Sequence, residues 1–374
     1  MQTSHSKNNL YISCPQAWHM SYNEKWEGIT EGASTYFGSA IDAAVTEMLL
    51  GKPDWLITFY DRWNKAWAFG QATQVFDNPD IVFAHKDFDI DVIEAKDFII
   101  CENWAKQLNL LGASITLNRN DVASMHSSLS KKKKNPYGPG LTKDELTLFN
   151  RLSWLSMKRK GKILLNAFNT QFLPKVKKVL STQQRATITD PNTGDSIVGY
   201  IDMVLEVEGF SKPIIFDLKT AGQPYQQEDI DLTQQLTLYA AMKGQEFNTD
   251  LVGYVVLCKN IPKKYTSTCK TCGNVKTGKH KTCEATDSVT GKRCGGEWDE
   301  IVTPAPEVQV LVQKKTQAQI NDLLIDIGNI ILAMKNNIIY KNVSKCTDWY
   351  GSNCPFYDAC HKNDFSGLRK KGKP

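Results

Sequence analysis

The chain has 374 residues, enough for two or three domains or for one large domain carrying insertions. With 41% hydrophobic and 23% charged residues it has the make-up of a soluble globular protein, and no run of about 18 apolar residues is present to span a membrane. A net charge of +5 permits a polyanionic partner without requiring one. The first residues, MQTSHSKNNLYISCPQ, are polar and lack the apolar core of a secretory signal, which predicts a cytoplasmic protein.

Residues 1–35 read as an N-terminal segment carrying Cys14, and residues 36–178 as a mainly helical region. STYFGSAIDAAVTEMLL has a helical apolar period, with Ser34 or Thr35 as its expected cap. KDFDIDVIEAKDFIICENWAKQLNLL predicts one long helix over 86–111. A basic, Pro- and Gly-rich break follows at 131–140, and then TKDELTLFNRLSWLSMKRKGKILLNAF, where Thr142 and Glu145 fit a capping box. Three basic runs, SKKKKNPYGPG, KRKGK and the C-terminal LRKKGKP, read either as solvated charge or as contacts to a phosphate backbone.

From about residue 179 the period changes to that of strands. STQQRATITD, a PNTG turn, SIVGYIDMVLEV and KPIIFDLKTA predict an antiparallel meander in a core spanning 179–262. IDLTQQLTLYAAMKGQ predicts a helix and LVGYVVLCKNI a buried strand. A polar, cysteine-rich block at 263–298 interrupts. EVQVLVQKK then predicts a strand and TQAQINDLLIDIGNIILAMKNN a helix, closing the core over 299–345. Residues 346–374 read as a cysteine-containing loop with a basic tail, and no internal repeat is visible. The mixture of helices and strands gives an α/β (α+β) class.

Each of two apolar runs in VGYIDMVLEVEGFSKPIIFDLKTA carries an aspartate. With the turn near Gly209 and Phe210, Asp202 and Asp217 become neighbours on adjacent strands, and alternation puts Lys219 on the face of Asp217. Close carboxylates are tolerated when a cation lies between them. Two carboxylates plus water suit Mg²⁺ or Mn²⁺, with the lysine orienting or helping to deprotonate a water that attacks a phosphodiester. An ion-paired edge hairpin with exposed charges is the competing reading.

GYID with DLKT resembles the Asp…(Asp/Glu)-x-Lys signature of the PD-(D/E)XK nuclease superfamily. QLTLY, with Gln235 and Tyr239 four apart on one helix face, resembles the Gln-x-x-x-Tyr motif of its RecB- and Cas4-like exonuclease branch. FGSAIDAAV resembles that branch's Gly-x-x-x-His helix read from Gly38, with Asp42 where a histidine is expected. The order CPQAW, GSAID, GYID, DLKT, QLTLY, CPFYDAC carries the resemblance along nearly the whole chain. It implies a restriction-endonuclease-like core, a central mixed sheet flanked by helices. It also implies Asp202, Asp217 and the Leu218 carbonyl as Mg²⁺ or Mn²⁺ ligands, joined by Asp42. Lys219 would then handle the water, with Gln235 and Tyr239 supporting site and substrate. Gln183 and Gln184, on the strand before Asp202, stand where relatives often carry an acid.

The chain has ten cysteines, and in a reducing compartment such clusters favour metal over disulfides. Cys269, Cys272, Cys283 and Cys294 have the spacing of a closed four-thiolate Zn²⁺ site, read as a zinc ribbon inserted between core strands. Its basic residues suit contact with DNA or with a partner protein. The resemblance implies that Cys14, Cys346, Cys354 and Cys360 hold a [4Fe–4S] cluster joining the chain ends, although seven residues between Cys346 and Cys354 exceed the usual two. Zinc, or no metal, are the alternatives there. His361 reads as a surface residue, and Cys101 and Cys258 as buried small hydrophobes. The expected function is a Mg²⁺- or Mn²⁺-dependent deoxyribonuclease acting on DNA ends in recombination, repair or phage DNA metabolism, with a recombination or replication protein as partner and no membrane. A catalytically inactive DNA-binding scaffold and a structure-specific endonuclease are the alternatives.

Overall fold

The computed structural model describes residues 1–64, 81–135, 138–286, 290–346 and 354–372. The N-terminal segment carries regular structure. Strand β1 (Gln2–Ser4) leads into helix α1 (His5–Ser13), where the Ser4 hydroxyl caps by accepting from the Lys7 N–H at 3.3 Å. Helix α2 (Pro15–Trp18), β2 (Trp26–Gly28) and β3 (Glu31–Gly32) follow.

Helix α3 (Ala33–Leu49) starts two or three residues earlier than expected, with Gly32 at its cap position rather than Ser34 or Thr35. Burial of Ala33 draws the helix back, and the Ser34 hydroxyl is occupied instead by the Lys259 ammonium at 2.9 Å. After α4 (Trp55–Asn64) and β4 (Ile81–Val82), the single helix expected over 86–111 is not found. Two 3₁₀ turns, at His85–Asp87 and Ile90–Val92, precede a shorter α5 (Ala95–Gln107). The aspartates explain this, because each caps a local turn: Asp87, Asp89 and Asp97 accept the N–H groups of Ala84, Asp91 and Glu94. Helix α6 (Arg119–Lys134) and the 25-residue α7 (Lys143–Ala167) complete the helical region. The Thr142–Glu145 capping box forms as expected. Gly161 in the middle of α7 has a packing reason, since a Cβ there would lie 2.0 Å from Cζ of Phe59 on α4.

Part of each basic run has partners within the fold. Lys131 to Lys134 close helix α6, where Lys132 pairs with Glu145 at 2.6 Å and Lys133 donates to the Phe83 carbonyl. On α7, Arg159 forks onto Asp97 and Glu94, Lys158 lies over the rings of Tyr60 and Trp154, and Lys160 is buried. Near the C-terminus Lys370 donates to the Glu24 carbonyl and Lys371 to the Ser21 hydroxyl. Lys131, Lys133 and Lys134 are nonetheless exposed, as is Arg369. Parts of the expected break and tail, at 136–137 and 373–374, lie outside the described residues.

The central sheet is mixed and flanked by helices, consistent with a restriction-endonuclease-like fold. Strands β5 (Val176–Thr189), β6 (Ser196–Val207) and β7 (Ile214–Ala221) form the antiparallel meander. A crossover through α8 (Gln227–Asp231) and α9 (Gln234–Lys243) brings β8 (Leu251–Cys258) parallel to β7. The helix expected over 230–245 is thus two helices, broken at Leu232 and Thr233. Between β8 and the last core strand stands a separate three-stranded sheet, β9 (Lys263–Cys269), β10 (Val275–Thr277) and β11 (Trp298–Pro304). It runs six residues past the expected block because β11 pairs with β9 as far as Pro304 with Lys263. Strand β12 (Val308–Lys314) then pairs antiparallel with β8, and α10 (Gln317–Lys335) packs on the sheet.

β1 pairs in parallel with β6, placing Thr3 beside Ile197. The region expected as C-terminal loop contains helix α11 (Tyr357–Lys362) and strand β13 (Leu368–Lys370), which pairs with β2. Both chain ends therefore meet. One sheet face packs against the helical region through Met203, Leu205, Phe216, Val255 and Leu257. The other packs against α9 through Val204, Ile215, Val252 and Val256.

Candidate active site and cysteine clusters

The register of the β6–β7 hairpin builds the site. Met203 pairs with Phe216, so the next position sets Asp202 across from Asp217, where the ladder stops. The Leu218 N–H, which would continue that ladder, donates to Asp202 Oδ2 at 2.8 Å. In an extended strand a residue's N–H and C=O point to the same side, so the Leu218 carbonyl faces the same gap. Asp217 is buried, and strand alternation puts it on the α9 face together with Lys219.

A closed network holds these groups. Lys219 Nζ lies 2.7 Å from Asp217 Oδ2 and donates to Gln235 Oε1 at 3.0 Å. Gln235 Nε2 donates to Asp217 Oδ1 at 2.8 Å and to the Tyr239 hydroxyl at 2.9 Å. Tyr239 in turn donates to the Tyr200 carbonyl at 2.6 Å, tying α9 to β6. The Lys219 ammonium lies 5.6 Å from the Tyr254 ring centre.

Asp42 reaches the same place from α3. Gly38, one turn earlier, lets α3 lie close to β7, since a Cβ there would be 3.3 Å from the Thr220 hydroxyl. Gln183 Nε2 on β5 donates to both oxygens of Asp42, at 2.9 and 3.1 Å. Gln184 instead reaches Glu246 at 3.4 Å.

The three acids feel one another's charge, but they do not bring one oxygen each within 4.8 Å of one another; among the described residues the four cysteines of the inserted sheet alone form such a group. Burial, then the charges of Asp217 and Asp42, push the Asp202 carboxyl up to about 8. Burial and the Asp217 charge push Asp42 up to about 6. Asp217 is raised by burial against the pull of Lys219. Lys219 keeps its proton: burial opposes its charge, but the Asp217 carboxylate beside it outweighs burial. Asp217 Oδ2 is buried against the Lys219 ammonium. Acids that repel one another on adjacent strands suit a divalent cation with oxygen ligands.

One contributor, His5, was not legible in the pattern, and neither was the partner of Gln183. Gln183 is brought to Asp42 only by the pairing of β5 with β6. His5, at the start of α1, is lowered to about 4 by burial and by the Lys219 charge, which places it within the field of the site. A polar N-terminal segment gave no sign that β1 would join the sheet beside β6.

The inserted sheet brings its four cysteines together. Their sulfurs all lie within 4.8 Å of one another, with Cys269 to Cys294 and Cys272 to Cys283 each at 3.6 Å. A tetrahedron with 2.3 Å zinc–sulfur bonds has sulfur–sulfur edges of about 3.8 Å. The spacing thus fits a four-coordinate metal, and the thiols are not joined as disulfides.

The other four cysteines gather where the chain ends meet. Cys14 lies between α1 and α2 and packs with Cys354, Cys360 and Met20. The Cys354 N–H donates to the Cys346 carbonyl at 2.8 Å. Burial, and next the charges of Cys14, Cys360 and Cys346, push the Cys354 thiol up to about 11. His361 is exposed, as expected, with its Nε2 3.3 Å from the Cys346 sulfur. Residues 347–353 of this motif lie outside the described residues. Cys101 is buried, whereas Cys258 is only half-buried.

The family model of the PD-(D/E)XK nuclease superfamily matches residues 127–361. That span takes in Asp202, Asp217, Lys219, Gln235, Tyr239 and the inserted sheet. No curated protein matches the chain significantly. One solved structure, described as "Crystal structure of SSO0001", is similar at 13% identity. The match covers 71% of this chain and 96% of that one, with a TM-score of 0.25, too low to carry an argument.

Proposed function

The chain belongs to the PD-(D/E)XK nuclease superfamily, and from that premise we propose that it is a Mg²⁺- or Mn²⁺-dependent deoxyribonuclease that hydrolyses phosphodiester bonds. The observation that carries this reading is the placing of Asp202 and Asp217 on adjacent strands with Lys219 2.7 Å from Asp217, and with Asp42 near enough to feel their charge. Asp202 and Asp217, with Asp42 and the Leu218 carbonyl, would hold the cation. A divalent cation so held stabilises charge on the phosphate and makes water a better nucleophile.

The chain's own groups set the geometry. Asp217 and Gln235 fix Lys219 from two sides. Held as an ammonium, it orients the attacking water or donates to a phosphate oxygen rather than taking a proton. Gln235 bridges Asp217 to Tyr239, and Tyr239 locks α9 onto the strand of Asp202. This wiring of the Gln-x-x-x-Tyr pair supports the RecB- and Cas4-like reading, with exonuclease action on DNA ends in recombination, repair or phage DNA metabolism beside a recombination or replication protein.

Cys269, Cys272, Cys283 and Cys294 are proposed to hold a structural Zn²⁺, and Cys14, Cys346, Cys354 and Cys360 a [4Fe–4S] cluster. On this reading a core of 179–262 and 299–345 carries the chemistry, the helical region 36–178 flanks it, and the ribbon is an insertion.

A nuclease assay tests the reading. Linear and circular DNA, single- and double-stranded, are incubated with Mg²⁺ or Mn²⁺ and either wild type or Lys219→Ala. Degradation of linear DNA by wild type, lowered at least 100-fold in Lys219→Ala, is expected. Cutting of circles would make the protein an endonuclease, and no cleavage of any substrate would make it a scaffold.

A further inference from the structure

Gln183 stands out by its backbone. Its φ of +48° lies in the left-handed region, which is unfavourable for a side chain that is neither Gly nor Asn. Four of the six such non-glycine residues among those described are asparagines, and Gln183 is the one set within a strand. The ladder pairs Thr182 with Met203 and Gln184 with Ile201 but skips Gln183, which lies across from Asp202. The side chain is solvent-exposed, so no core packing accounts for the conformation. What the conformation does achieve is two hydrogen bonds from one amide to both oxygens of Asp42, a residue 141 positions away.

Strained backbone persists where the surroundings or the function require it. We propose that Gln183 is a positioning residue, whose left-handed backbone aims its amide so that the Asp42 carboxylate is held for the divalent cation. This inference rests on the nuclease reading for the role of Asp42. The amide supplies the donor that a ligating carboxylate needs from its second layer of contacts, and loss of such a partner typically costs about 10–100-fold in metal affinity or activity.

The test compares Gln183→Gly with wild type. Glycine adopts a positive φ freely, so the variant removes the amide and the strain together. The metal-free melting temperature of Gln183→Gly should equal or exceed that of wild type. Its Mn²⁺ affinity, measured by calorimetry, should fall about 10-fold or more. Gln183→Leu, which loses the amide and keeps the strain, should lose the same affinity and melt below Gln183→Gly. Unchanged Mn²⁺ affinity in both variants would overturn the proposal. So would a lowered melting temperature in Gln183→Gly, which would make the residue a structural one. If wild type binds Mn²⁺ but cuts no DNA, the nuclease reading fails while the affinity comparison still decides the role of Gln183.

Discussion

Asp202 and Asp217 could be placed as near neighbours by counting from a turn at Gly209 and Phe210, because a hairpin register and strand alternation are local rules. Their partners needed tertiary information. Gln183 finds Asp42 only because β5 pairs with β6 and α3 packs beside β7 through Gly38. Repulsion among the acids has a measurable consequence in the metal-free protein. Asp202→Asn removes one repelling charge, so the metal-free variant should melt higher than wild type at pH 8, while Mn²⁺ should raise its melting temperature less than it raises that of wild type. A lower metal-free melting temperature would mean that the acids are not held in mutual repulsion.

A second residue away from the site sets a pH limit. His126 is buried, stacks on Phe88 and Phe149 at 4.0 and 4.8 Å, and meets the Ser153 hydroxyl at 3.1 Å. Burial, then the charges of His85 and Lys133, lower it to about 3. Unfolded chain takes up this proton near pH 6.5 while the folded protein refuses it, so stability is lost as pH falls from about 6.5 toward 3. Acid titration of stability in His126→Phe, which stacks but cannot protonate, should show a shallower loss over that window. An unchanged slope would assign the acid sensitivity to other groups.

At the scale of elements, local signals worked where they were unopposed. The Thr142–Glu145 box starts α7, and Thr316 with Gln319 starts α10. They failed where side chains had tertiary employment: Ser34 serves Lys259 instead of capping α3, and the aspartates at 87–97 cap short turns that break a continuous apolar period. The KRKGK run misleads for the same reason. Arg159 looks like surface charge in the sequence but neutralises Asp97, whose side chain is fully buried. Leaving that acid alone should cost about 3 kcal/mol. Urea unfolding of Arg159→Met should show this loss, and adding Asp97→Asn should restore much of it. No loss in the single variant would show that Asp97 does not depend on Arg159.

The whole molecule is organised by connection as much as by core. The ribbon leaves the sheet after β8 and returns at β12, two strands that pair along their length without it. It has a small core of Cys269, Cys283 and Trp298, so metal is expected to hold it together. Cys272→Ser should therefore make residues 270–297 sensitive to protease while the sheet keeps its melting transition. Cooperative loss of the whole protein would show that ribbon and sheet fold as one. The cysteines were legible by spacing, whereas the pairing of β13 with β2, which brings the ends together, was not, since three-residue strands carry no readable period.

The account turns on a cation shared by the strands of Asp202 and Asp217, and anomalous diffraction from crystals soaked in Mn²⁺ addresses it directly. A peak within about 2–2.5 Å of a carboxylate oxygen from each aspartate is the predicted result. No peak between them, in protein that nonetheless cuts DNA when Mn²⁺ is supplied, would contradict it.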